Sequence, residues 1–106
     1  MEEYFQVFTT LEKREDAGRI AKDIVEKRLA ACAQIIGPIM SSYWWEGKVE
    51  TAEEWLCLMK TRKNLYPRLE ETLKAIHPYD VPEIVAVPIV AGYADYLSWL
   101  TQEATG

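Results

Sequence analysis

The strongest constraint in this chain is a β-hairpin longer than a domain of its size can cover. Residues 31–36 form an apolar run with strand character, and residues 39–45 resume it after Gly37-Pro38. A proline cannot donate to a sheet ladder, so a bulge or a sheet edge is expected there. The run ends in Tyr43-Trp44-Trp45, and Glu46-Gly47-Lys48 follows as the turn, with Gly47 free to take a positive φ. Residues 49–61 return as the partner strand. Each arm is about 14 residues long, where an ordinary strand has about 5–6. Such arms project beyond a small domain or need another chain to cover them.

The chain has 106 residues, which predicts one domain over residues 1–106. A chain of this size buries roughly 60–70% of its unfolded surface, enough for one modest core. Within the hairpin, every residue from Trp55 to Met59 is apolar, so both faces of that strand read as buried. Two helices can cover only one face, which leaves the other for a second subunit. Four Trp and six Tyr add large rings that must also be buried in a core or against a partner.

The remaining elements fix the fold class. Residues 4–10 read as a buried strand. Ala17, Ile20, Ala21, Ile24, Val25 and Leu29 then mark one apolar helix face, with Thr10 and Asp16 available as caps. Leu65, Leu69, Leu73 and Ile76 mark a second helix, starting near the cap Asn64 and stopping at His77-Pro78. A stiff loop over 77–82 leads to a strand over 84–88, and residues 93–103 form a short last helix. The order βαββαβ plus a terminal helix predicts an α+β, ferredoxin-like fold with a four-stranded antiparallel sheet. Right-handed crossovers place both main helices on one face. The other stays open, where Trp55, Cys57 and Met59, or their neighbours of opposite parity, need cover.

Charge and motif content narrow the function. The net charge of −5 and the lack of a basic stripe argue against nucleic acid, which needs clustered Lys and Arg. Ferredoxin-like RNA modules carry basic and aromatic residues on the third strand. Here that strand reads Glu53-Glu54-Trp55-Leu56-Cys57. No apolar run approaches a membrane span, and Met-Glu-Glu lacks the basic start of a signal peptide, so a cytoplasmic protein without a membrane partner is expected.

Hairpin register puts Cys57 opposite Ile36, with Cys32 roughly 13 Å further along, too far for a disulfide. Two free thiols are therefore expected. His77, the single histidine, reads as a helix C-terminal residue or as a metal ligand. Copper or zinc sites take three or four soft or imidazole ligands. One His and two Cys do not supply a full site within a chain, so a site shared between subunits is the remaining option. Common enzyme signatures are missing, leaving Cys32 or Cys57 with His77 as the conceivable nucleophile–base pair. Glu50, Glu53 and Glu54 read as solvated charge.

Three blocks together resemble one family: Leu29-Ala30-Ala31-Cys32-Ala33, Ser42-Tyr43-Trp44-Trp45-Glu46-Gly47-Lys48-Val49-Glu50 and His77-Pro78-Tyr79-Asp80-Val81-Pro82-Glu83-Ile84. Pro88-Ile89 and Tyr96-Leu97-Ser98-Trp99-Leu100 continue the pattern, which is similar to that of the CutA divalent-cation tolerance family. The resemblance covers essentially the whole chain. It implies a tightly packed homotrimer, with sheets facing inward and hairpins reaching across subunits, in an architecture like that of PII signalling proteins. It also implies a response to metal ions and binding of copper(II) or another divalent cation. In some members the proposed ligands are one Cys and two consecutive His; the matching positions here are Thr9, Ile76 and His77, so only His77 keeps its type. His77 and Cys32 are thus the metal candidates, and Trp45, Lys48, Lys60, Tyr79 and Glu83 the candidates for an inter-subunit ligand cleft. The rival readings are a small-ligand signalling or scaffold protein without a metal role, and an enzyme using Cys32 and His77.

Overall fold

The computed structural model describes residues 2–106. The elements are β1 (Tyr4–Leu11), α1 (Arg14–Glu26), β2 (Cys32–Trp45), β3 (Lys48–Arg62), a 3-10 turn (Lys63–Leu65), α2 (Tyr66–Ile76), β4 (Val85–Pro88) and α3 (Ala94–Glu103). All pairings are antiparallel, in the order β2-β3-β1-β4. This is the expected α+β, ferredoxin-like arrangement.

Helix α1 forms because Ala17, Ile20, Ala21 and Ile24 bury one stripe, while Arg19–Asp16 and Lys27–Asp23 pairs hold the solvent side. Neither Thr10 nor Asp16 caps it. Lys13 occupies the N-cap with no side-chain bond, and Asp16 instead sits with Glu15 in the first turn, where acidic groups favour the positive helix end. The helix ends at Glu26 with Lys27 as C-cap, and Arg28, at φ 62°, turns the chain away before Leu29. Asn64 likewise does not cap α2; it lies in the 3-10 turn that precedes it. Pro67 sits in the first turn of α2, and His77 takes an extended ψ of 135°, as a residue before proline favours.

The hairpin arms contain 14 and 15 residues. Glu46 and Gly47 form a two-residue turn with φ of 50° and 79°, the paired positive values of a type I′ turn. Register runs unbroken from Trp45↔Lys48 to Ile39↔Glu54, then shifts so that Ile36 faces Leu56. Gly37 and Pro38 together oppose Trp55, which makes the expected bulge. The shift places Ile35, not Ile36, opposite Cys57. Glycine is required at 37, since a Cβ there would lie 2.5 Å from the Trp55 ring.

Trp55, Cys57 and Met59 face the helices, not the open side. They join Val7, Leu11, Ile20, Ile24, Leu69 and Leu73 in the core. The open side belongs to the opposite parity. Ile36, Leu56, Leu58, Phe8, Val85 and Val87 form an apolar band across all four strands, following the pairs Ile36↔Leu56, Phe8↔Leu58, Phe8↔Val85 and Gln6↔Val87. Ile36, Val85 and Val87 are exposed. Helix α3 covers only one end of this face, where Leu100 packs on Leu65, Ala104, Tyr4 and Ala31 and the Tyr4 hydroxyl lies 2.6 Å from Thr101 Oγ1. Beyond Trp55, β1 has ended, so the rest of the hairpin is a two-stranded ribbon that stretches the molecule to 44 × 24 × 22 Å.

Candidate functional site: an aromatic, acidic cleft

A cleft of about 700 Å³ lies between the ribbon and the loop that follows α2. Ser41, Tyr43 and Trp45 wall one side, Tyr79, Asp80 and Glu83 the other, and Thr10 and Glu54 close the base. On β2 beyond the bulge, odd-numbered residues share a face with Glu54 of β3, which is why Tyr43 and Trp45 turn toward it.

His77 is buried beside this cleft, 8% exposed. The Tyr79 backbone N–H donates to its Nδ1 at 3.1 Å, so Nδ1 carries no proton. The proton sits on Nε2, which is 3.1 Å from the Thr10 carbonyl oxygen and 2.9 Å from Thr9 Oγ1. Burial holds the imidazole below its usual range, partly opposed by the Thr10 carbonyl and the charges of Glu54 and Asp16. The ring is therefore neutral, with both nitrogens engaged, and its centroid lies 4.9 Å from that of the Tyr79 ring, the two planes tilted by 56°.

The Tyr79 hydroxyl donates to Glu54 Oε2 at 2.6 Å. Burial, then the Glu54 hydrogen bond and charge, push the phenol well above its ordinary range, so it stays a donor. Glu54 is 5% exposed, which corrects its reading as solvated charge.

The candidate residues separate into two groups. Trp45, Tyr79 and Glu83 line the cleft, with His77 beneath Tyr79. Lys48 pairs with Trp45 at the ribbon tip but does not line the cleft. Cys32 and Lys60 pair with each other at the opposite end of the hairpin. There the Cys32 Sγ lies 3.4 Å from the Tyr96 hydroxyl, whose pKa burial and this contact push up to about 12. Lys60 Nζ donates to Gln34 Oε1 at 2.9 Å. Cys57 is fully buried, and burial lifts its thiol to about 11, which keeps it protonated and unreactive. Both cysteines are free, as their spacing predicts.

The sheet lies between His77 and Cys32. His77 meets Thr9 on the helix-covered side, whereas Cys32 shares the other side with Lys60. The two cannot act together within one chain, as metal ligands or as nucleophile and base. His77 also has no lone pair left for a metal. Among the described residues no three His, Cys, Asp or Glu side chains gather closely enough to hold an ion. A copper centre thus does not fit the residues of a single chain.

Thr10, Glu54 and Asp80 escape sequence reasoning. Nothing in the run Glu53-Glu54 marks the second as buried, and its partner Tyr79 is 25 residues away.

An antiparallel ferredoxin-like sheet with one face left open, a projecting ribbon and a cleft at its root define a class of small α+β subunits. The chain belongs to the CutA1 divalent ion tolerance protein family, whose profile matches residues 5–103. It is 49% identical over 100 residues to the divalent-cation tolerance protein CutA of Thermus thermophilus, covering 94% of this chain and 96% of that protein. It is 48% identical over 94 residues to the chloroplastic protein CutA 1 of Oryza sativa, covering 89% of this chain and 53% of the rice protein. The chain thus spans about half the length of that relative. The crystal structure of CutA1 from Oryza sativa superposes with a TM-score of 0.92 at 44% identity, over 95% of this chain and 93% of that one. The Thermus thermophilus Cut A1 structure gives 0.89 at 48% identity, over 97% and 98%. No helix among the described residues is long and apolar enough to cross a membrane.

Proposed function

We propose that this protein works as a homotrimer in the response to divalent cations, as a binding protein and not an enzyme. The carrying observation is the apolar band of Ile36, Leu56, Leu58, Phe8, Val85 and Val87, which the chain's own helices leave open. Burying such a band contributes about 25 cal/mol per Å² of apolar surface, and an exposed patch of this kind marks an association surface. The number of subunits follows the family resemblance. The cation, copper(II) or another divalent ion, is cargo. Cys32 is the available soft donor, with further ligands from a neighbouring chain. Cytoplasmic residence belongs to this reading and is supported by the two free thiols.

Light scattering across micromolar concentrations is expected to return the mass of three chains; a persistent monomer overturns the trimer. Copper(II) titration followed by calorimetry tests the cargo. Cys32→Ser is expected to weaken binding by about tenfold or more, as loss of a ligand does, and His77→Ala to leave it unchanged. The opposite pattern would overturn the assignment of Cys32.

A further inference from the structure

The ribbon is tied to the rest of its own chain at one point. β1 pairs with β3 only as far as Trp55, so residues 39–54 have no ladder partner outside the hairpin. Among the described residues one hydrogen bond runs from this stretch to the remainder of the molecule, that from the Tyr79 hydroxyl to Glu54 Oε2. It sits at the root, because Glu54 pairs with Ile39 directly beyond the bulge. Glu54 is buried, so losing this donor leaves a carboxylate without its partner away from water.

Tyr79 is held in turn by His77. Its backbone N–H donates to Nδ1 at 3.1 Å, while Nε2 is fixed by the Thr10 carbonyl and Thr9 Oγ1. The ring's one lone pair able to take a proton is the pair that receives the Tyr79 N–H, so protonation and this hydrogen bond exclude each other. Pro78 and Pro82 stiffen the segment, which favours movement of Tyr79 as a unit, backbone and phenol together. The charges that act on the ring are Glu54 of β3 and Asp16 of α1, while Glu12 and Tyr43 act on the Tyr79 phenol. Both acids favour a proton on the ring. Burial disfavours it and prevails, so the proton arrives below the ordinary imidazole range near 6.5.

We propose that His77 is a proton-operated catch on the ribbon. A proton taken up at Nδ1 expels the Tyr79 N–H, the Tyr79 phenol leaves Glu54, and the ribbon root is released. Loss of the proton re-forms both hydrogen bonds. The catch is separate from the cation cargo proposed above, because it uses neither Cys32 nor a metal. Every residue of it belongs to one chain, so it operates with any number of subunits. On the trimer reading, and only there, release of the root also loosens the ribbon's contact with the next copy.

The chain has one histidine, so its imidazole C2 proton gives a single resonance that reports the titration directly. Amide hydrogen exchange of the full chain, expressed as protection relative to the intrinsic rate at each pH, is followed from about pH 7.5 downward until that resonance has moved. Protection over residues 39–54 is expected to fall about threefold to tenfold with it, the scale of one lost hydrogen bond, while α1 and α2 keep theirs. His77→Gln keeps a donor and an acceptor but no site for the proton, and is expected to hold ribbon protection constant over the same range. Tyr79→Phe cuts the link without touching the ring, and decides should His77→Gln fail to fold. In it the C2 resonance still moves, but ribbon protection is already low at neutral pH and no longer follows. A ring that titrates with the ribbon unchanged, or either variant responding to pH as the parent does, would overturn the proposal. So would a ring that takes no proton before the whole chain unfolds. Scattering mass is read along the same pH series, so a failed trimer reading cannot be mistaken for a failed catch.

Discussion

The two halves of the hairpin are built from similar residues and end in opposite situations. In the inner half, Cys57, Met59 and Thr61 of β3 are fully buried under α1 and α2. In the outer half, Met40, Trp44 and Val49 are exposed, Trp44 at 75%. Apolar content therefore does not tell whether a strand is covered by its own chain. The difference lies in what stands beside the strand: β1 and the helices flank the inner half, whereas only the loop after α2 meets the ribbon, and on one face.

The largest expected effect separates the halves directly. Leu73→Ala opens a cavity under the inner half and is expected to cost about 2–5 kcal/mol in denaturant unfolding, at every protein concentration. On the proposed trimer, Trp44→Ala is expected to act on association instead, with a cost that grows on dilution and appears in the scattering mass. A concentration-independent loss from Trp44→Ala equal to that of Leu73→Ala would break the comparison. A smaller effect sits at the boundary. Gly37→Ala drives a methyl into the Trp55 ring and is expected to cost about 1–3 kcal/mol, measured by thermal unfolding. An unchanged midpoint would show that the ring shifts freely.

The smallest effect comes from pH. Burial lowers the folded-state pKa of His77 below its unfolded value near 6.5. Below pH 6.5 the unfolded chain then binds more protons than the folded one. Stability from this group is fully present above 6.5 and is lost as pH falls toward the folded pKa. Protonation also breaks the bond from the Tyr79 N–H to Nδ1, so chemical shifts of the 79–83 loop are expected to move with it. A His77→Gln protein with the same stability–pH slope in that window would remove His77 as the cause.

The fold was legible where local chemistry speaks. The 3.6-residue recurrence of Ala17, Ile20, Ala21 and Ile24 marks α1, the paired positive φ of Glu46-Gly47 closes the hairpin, and Gly37-Pro38 breaks the ladder. Parity on β3 was not legible, because Trp55 to Met59 is apolar throughout and offers no alternation to read. The helix starts misled because Thr10 and Asn64 are good caps in isolation, but the first belongs to β1 and the second to a 3-10 turn. Of the site, Trp45, Tyr79 and Glu83 were found through their resemblance to a family block. Glu54 was not, since its burial arises from a contact across the fold. Cys32 and His77 were joined by residue type alone, and the sheet keeps them apart.

The bulge at Gly37-Pro38 has a consequence for symmetry. A bulge bends its strand and adds twist, so it sets the angle at which the ribbon leaves the subunit. A ribbon that lies against the next copy makes a head-to-tail contact, and repeated contacts of that kind either close into a ring or run on as a filament. Which of the two occurs depends on rotation per step. On the proposed trimer, that rotation would follow from the bend made by two residues opposite one tryptophan, so a change of bend there is expected to alter the geometry of closure.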